Sequence, residues 1–245
     1  MMGIVHLVGA GPGAPDLLTV RAVRLLGEAD IVLHDALIGP DILSLAPQAE
    51  KVAVGKRSGR HSTAQHFINK RLLDAAQRYK VVVRLKGGDP MLFGRAHEEI
   101  EYLASHGVAV EITPGITAAL AASADLGISL TRRGLARSVT FVTPRVGDGE
   151  LPSSWVNAAA AADTAAIYMG AGEGPAIAAA LIAAGKAAST PVAFISNASL
   201  KDERIAYGTL GRLPQLEGGP VLILVGEVYA RAAARRLPEK ASQTA

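Results

Sequence analysis

Short runs of β-branched and aliphatic residues recur along the chain, separated by longer stretches with apolar residues at i, i+3 and i+4. Ile4–Val8, Ile31–Leu33, Lys51–Val54 and Val81–Lys86 predict strands, and Val108–Thr113 adds another. None alternates cleanly between apolar and polar, the pattern of parallel strands covered on both faces. Between them, Leu18–Leu26 predicts a helix opened by Thr19 and closed by Gly27. Ile68–Ala76 and Glu98–Ala104 predict two more, the second ended by Gly107. Strand and helix in alternation predict an α/β sheet.

Past Pro114-Gly115 the pattern changes. Ala118–Asp125 reads as an alanine-rich helix, and 157–188 is richer still in alanine, which marks helix and carries no chemistry. Strands are predicted at Val139–Thr143, Ala165–Met169, Val192–Ser196, Arg204–Thr209 and Val221–Val225. The last three follow too closely for long crossover helices and must end antiparallel. The expectation is two α/β domains, the first mostly parallel and the second a mixed sheet with antiparallel strands at its end. Boundaries fall at 1–113 and 117–230, with 231–245 a basic tail read as disordered and an active site expected in the cleft between the domains.

Composition narrows the function. The chain has 245 residues, 49% hydrophobic and 19% charged, which excludes a disordered chain. Its long runs without a charge, such as Ala187–Leu200 with its Pro191 and Asn197, are shorter than the roughly 20 apolar residues that span a bilayer. No membrane partner is expected. The opening residues lack a basic-then-apolar leader, so a cytoplasmic protein is expected. Zero cysteines exclude disulfides and thiolate nucleophiles, and the 6 histidines show no metal-ligand spacing, so no metal is expected. A net charge of +3 with 4% aromatics is not the pattern of a nucleic-acid binder. Three basic clusters stand out: Lys56-Arg57-x-x-Arg60-His61, Arg84-x-Lys86 and Arg132-Arg133-x-x-x-Arg137. Spread over the surface they would be solvated; converging on a cleft they suit a small polyanionic substrate.

Three strand-to-helix turns carry the candidate chemistry. Gly9-Ala10-Gly11-Pro12-Gly13-Ala14-Pro15 loosely fits a dinucleotide fingerprint, with Asp30 near the place of a ribose-binding acid. Yet Pro12 removes an amide, and Pro15-Asp16 delays the helix to about Thr19, so the loop suits close backbone approach better than a pyrophosphate. Leu85–Arg95, LKGGDPMLFGR, lies past the carboxyl end of a buried strand, where open α/β sheets hold ligands. Gly87 and Gly88 bare backbone donors, and Asp89 offers a carboxylate for an ammonium or hydroxyl, although a plain β-turn also uses Gly-Asp-Pro. In Thr113–Ala119, Thr117 reads equally as a helix N-cap and as a ligand contact.

Taken in order, GAGPGAPDLLT, ADIVLHDAL, VGKRSGRH, RLKGGDPMLFGR, ITPGITAA, SLTRRGLARSVTFVT, IYMG and ISNAS resemble the tetrapyrrole methyltransferases that use S-adenosylmethionine, most closely members acting on uroporphyrinogen III. The resemblance covers residues 3 to about 228. It implies a homodimer with the cofactor in the interdomain cleft. The implied reaction is methylation of uroporphyrinogen III at carbons two and seven, giving precorrin-2 for sirohaem or cobalamin. Carried over residue by residue, it implies cofactor contacts from Pro12, Gly87, Gly88, Asp89, Leu92, Thr117, Ala118, Met169 and Ala198. Asp35 is implied as proton acceptor and Lys56 as proton donor. The eight carboxylates of the substrate give Arg57, Arg60, Arg132, Arg133 and Arg137 a purpose as a positive binding surface.

Several positions depart from the family pattern: Ala96-His97 where Gly-Gly is common, Arg132 where His often stands, Pro144-Arg145 where Gly-His often stands, and Ala198 where some members have glycine. In the family these changes lie toward the substrate side, so the resemblance leaves the implied cofactor intact and weakens the implied acceptor. A sister methyltransferase acting on a later precorrin or a non-tetrapyrrole acceptor therefore stays open, as does a dinucleotide-dependent oxidoreductase.

Overall fold

Five of the predicted apolar runs form one parallel sheet. The computed structural model describes residues 2–55, 65–147, 151, 153–170, 172–216 and 218–236. The chain divides into two compact units, Met1–Ala118 and Ala119–Ala245. The first contains β1 (Ile4–Gly9), α1 (Val20–Glu28), β2 (Ile31–His34), α2 (Pro40–Leu43), β3 (Glu50–Ala53), α3 (Gln65–Arg78), β4 (Val81–Lys86), α4 (Ala96–Ser105) and β5 (Val110–Thr113). Its strand order is β3-β2-β4-β1-β5, with every pairing parallel.

Helices cover both faces. Ala22, Leu25 and Leu26 of α1 pack with Val8, Val83 and Leu85 on one side. On the other, Leu72 of α3 and Leu103 of α4 pack with Val5, Leu7, Leu33 and Val82. Truncating a leucine of either layer to alanine costs about 2–5 kcal/mol. As predicted, the Thr19 hydroxyl accepts the Ala22 amide at 3.1 Å and opens α1. Gly27 does not close it. The helix runs on to Glu28 and is capped by Ala29, whose amide reaches Leu26 O.

The second unit takes in most of α5 (Ala118–Leu126), then β6 (Val139–Val142), α6 (Trp155–Ala161), β7 (Thr164–Ile167), α7 (Gly174–Ala183), β8 (Pro191–Ser196), β9 (Arg204–Thr209), β10 (Val221–Gly226) and α8 (Ala230–Arg236). Strand order is β6-β7-β10-β8-β9. Only β6 and β7 run parallel; β10 and β9 pair antiparallel with their neighbours. Ile167, Ile177, Leu181, Val192, Ile223 and Val225 form the core. The segment expected to be a disordered tail begins as helix. Alanine-rich α8 buries Ala233 against β8 and β9, which a reading of its charge alone misses, and 237–245 lie outside the described residues.

Candidate functional site

The first sheet has a switch point. β1 and β4 are neighbours, but the helix after β1 packs on one face and the helix after β4 on the other. Their connecting loops leave the carboxyl ends of the strands toward opposite faces, the usual ligand position in open α/β sheets. The Gly9 and Lys86-Gly87-Gly88 turns both lie there. Gly11 and Gly88 form an antiparallel bridge: the Gly88 amide donates to Gly11 O at 2.7 Å and the Gly11 amide to Gly88 O at 3.2 Å.

The turn after β5 joins them by backbone contact. A Cβ on Gly9 would stand 2.6 Å from Gly115 Cα, and one on Gly115 would strike the Gly88 carbonyl oxygen. Only glycine lets three main chains meet this closely. Asp89 fastens the arrangement: Oδ2 accepts the Gly115 amide at 2.9 Å and Oδ1 the Met91 amide at 2.8 Å. The carboxylate expected to hold a ligand's ammonium or hydroxyl thus already holds two turns together. Gly87 is different. It is exposed, and a Cβ there would meet nothing within 4 Å, so its bare backbone faces open space. Pro12, Leu92 and Ala118 are half-buried around these turns, and Thr117 is buried just ahead of α5.

Backbone strain marks the same loops. Among the described residues, the non-glycine residues with positive φ are Phe93 (55°), Arg95 (54°), Met169 (57°), Asn197 (54°) and Ser199 (68°). Each costs about 1–3 kcal/mol, and such strain collects at functional sites. All five fall in the LKGGDPMLFGR, IYMG and ISNAS motifs. Met91, Phe93 and Met169 also leave large apolar side chains exposed. In the second sheet, Met169 follows β7 and Ala198 follows β8. The ends of both strands pair with the start of β10, through Ile167–Ile223 and Ser196–Val221, so these two residues share one edge. The residues bearing strain were not legible in composition or periodicity; the flanking glycines were the only signal.

Arg84 and Lys86, read from sequence as surface or substrate-binding cations, are buried instead. The Arg84 guanidinium gives Nε to Glu99 Oε1 at 3.1 Å and one terminal nitrogen to Asp35 Oδ1 at 2.6 Å; the other nitrogen reaches Leu33 O and Leu85 O. Lys86 Nζ also donates to Glu99 Oε1, at 3.0 Å. Burial, then the nearby Arg84 charge, push the Lys86 pKa below its ordinary value, with Glu99 opposing. A second pairing that the sequence reading missed is Arg95 with Glu98, bidentate at 2.6 and 2.8 Å in the first turn of α4.

The remaining candidates can be taken one by one. Lys56, Arg57 and Arg60 lie outside the described residues. Arg132 and Arg133 are exposed on a tight turn closed by reciprocal Arg132–Ala136 backbone bonds of 2.8 Å, and exposed Arg137 follows it. Asp30 accepts the Lys80 and Val81 amides at the opposite end of the sheet from the Gly9 turn, so the dinucleotide reading loses its acid. Among the described residues, no helix is long and apolar enough to cross a membrane and no three His, Asp or Glu side chains gather to hold a metal ion.

A family model for tetrapyrrole (corrin/porphyrin) methylases matches residues 5–214. A siroheme synthase of Pseudomonas putida is 49% identical over 232 residues, which is 92% of this chain and 50% of that protein. The chain therefore spans about half the length of the curated relatives it matches. Among solved structures, uroporphyrin-III C-methyl transferase from Thermus thermophilus complexed with S-adenyl homocysteine is 41% identical with a TM-score of 0.82, covering 94% of this chain and 100% of that one. A cobalt precorrin-4 methyltransferase is 30% identical with a TM-score of 0.77, covering 91% of this chain and 95% of that one.

Proposed function

The chain belongs to the tetrapyrrole (corrin/porphyrin) methylases, and from that premise we propose that it transfers methyl groups from S-adenosylmethionine to carbons two and seven of uroporphyrinogen III, giving precorrin-2 on the way to sirohaem. The observation that carries this reading is the meeting of three glycine turns at the carboxyl ends of β1, β4 and β5, where Gly87 leaves backbone open. Bare main chain beside exposed Met91 and Phe93 fits a cofactor that joins a polar amino acid to an apolar sulfonium and a flat base. Bound there, S-adenosylmethionine supplies an activated methyl group.

The chain's own part is to hold and orient. Methyl transfer is an in-line displacement that discharges a cation, so alignment in a dry pocket supplies most of the acceleration. Pro12, Gly87, Gly88, Leu92, Thr117 and Ala118 are proposed to line the cofactor, Asp89 acts by fixing their turns, and Met169 and Ala198 supply further contacts. The nucleophile is an electron-rich pyrrole carbon of the substrate. Asp35 accepts the proton that the methylated ring gives up, and Lys56 is the proposed donor. Arg132, Arg133 and Arg137 attract the substrate's carboxylates, together with Arg57 and Arg60. A cytoplasmic homodimer completes the proposal.

The test is incubation with uroporphyrinogen III and methyl-labelled S-adenosylmethionine, followed by mass analysis. Two labelled methyl groups are expected. No transfer, or transfer to a later precorrin alone, refutes the acceptor assignment. Calorimetry is expected to detect S-adenosylhomocysteine and not NADH; the reverse overturns the cofactor assignment.

A further inference from the structure

The layer between the first sheet and α3 and α4 changes character along its length. At one end it is Val5, Leu7, Ile31, Leu33 and Val82, closed by Leu72 and Leu103. Further along the same face of β4 come Arg84 and Lys86, with Glu99 from α4 above them and Gln65 and Asn69 from α3 beside it. Packing alone does not call for ions there. A buried ion cluster is often no better for stability than apolar side chains of the same volume. This one is also incompletely satisfied. Glu99 Oε1 takes Arg84 Nε, Lys86 Nζ and Gln65 Nε2, at 3.1, 3.0 and 3.2 Å, while buried Oε2 takes no donor among the described residues. The geometry serves the donors, which it fixes in place, rather than the acceptor.

What the cluster fixes is the accessible carboxylate among its charged members, Asp35. Side-chain exposure is 0% at Glu99, 2% at Arg84 and 32% at Asp35. Arg84 spends a single nitrogen on Asp35, and it goes to Oδ1. Oδ2 has no protein donor among the described residues. Among the described residues, the other charged or titratable neighbours are Lys86, turned to Glu99, and His34, whose ring Nδ1 lies 3.0 Å from the Asp35 backbone carbonyl oxygen. We propose that Arg84, held by Glu99, is a positioning residue that clamps Asp35 Oδ1 and so presents Oδ2 as the proton acceptor of the methylation reaction. This rests on the reading of Asp35 given above.

A double-mutant cycle on kcat tests it. Arg84→Lys keeps the charge but cannot reach Glu99 Nε-fashion and Asp35 at once, and is expected to lower kcat about ten- to a hundred-fold. KM for the tetrapyrrole and the affinity for S-adenosylhomocysteine should change less than about two-fold, since uniform binding is untouched. In an Asp35→Asn background the same substitution should cost nothing further, because residues acting as one unit are non-additive. Should Arg84→Lys fail to fold, Glu99→Gln, which keeps size and removes the anchoring charge, takes its place in the cycle with the same expectation. Additive losses in kcat, with Asp35→Asn itself impaired, would make Arg84 merely structural and overturn this inference alone. An Asp35→Asn variant at the wild-type rate would overturn the assignment of Asp35 and this inference with it.

Discussion

Two glycines in these turns make opposite demands, and substituting each with alanine separates folding from binding. At Gly115 the added methyl strikes the Gly88 carbonyl and stands 2.9 Å from Gly9 Cα. Backbone atoms cannot rotate away, so the Gly88 carbonyl must move, loosening the 3.2 Å bond it accepts from Gly11 and the 2.9 Å bond from the Gly115 amide to Asp89. Overpacking costs about 1–3 kcal/mol and a compromised buried hydrogen bond about 1–3 more, so Gly115→Ala should lose about 2–6 kcal/mol. At Gly87 the same methyl meets nothing within 4 Å, and no positive φ is required. Gly87→Ala should therefore keep its stability, or gain about 0.4–1 kcal/mol from a stiffer unfolded chain. If that open space belongs to the cofactor, the methyl intrudes on it by about 1–3 kcal/mol, weakening S-adenosylhomocysteine binding about five- to 150-fold. Urea unfolding and isothermal calorimetry on both variants give the four numbers. Wild-type affinity in Gly87→Ala refutes the cradle; wild-type stability in Gly115→Ala refutes the close backbone approach.

Other outcomes follow from the same geometry. Asp35→Asn should lower kcat about a hundred-fold or more while leaving S-adenosylhomocysteine affinity intact, measured by steady-state kinetics and calorimetry. Arg132→Glu with Arg133→Glu should raise KM for the octacarboxylate about ten-fold and flatten its salt dependence; an unaltered, salt-insensitive KM would remove these arginines from substrate binding. Backbone and side-chain donors from Arg137 and Ser138 hold the Asp163 pKa below its ordinary 3.8. The unfolded chain thus takes up this proton first, so the contribution is complete above 3.8 and fades as pH falls through the lower folded value. Asp163→Asn should lack that part of the acid-unfolding slope, seen by circular dichroism against pH.

Much of this was legible in the residues. β4 coincides with the run Val81–Lys86, because β-branched residues covered on both faces leave little ambiguity, and the glycine turns were visible because no other residue permits the approach they make. The burial of Arg84 and Lys86 was not visible. Their counter-charge, Glu99, sits on the next helix, where a local reading takes it for the solvent face. Asp89 shows the same blindness in reverse: its residue type fits a ligand, yet its oxygens are occupied by amides, one of them in a turn of the next strand. Left-handed Met169 and Phe93 have no sequence signature, since tertiary surroundings impose a conformation their side chains disfavour.

The strand order has a consequence for the protein during its synthesis. β1 lies between β4 and β5, so Ile4–Gly9 leaves the ribosome long before Val81–Lys86 and Val110–Thr113 exist to flank it. Until then a nascent apolar segment has both hydrogen-bonding edges bare, the condition that recruits chaperones or invites pairing with a neighbouring chain. Translation speed over the intervening stretch sets how long that condition lasts.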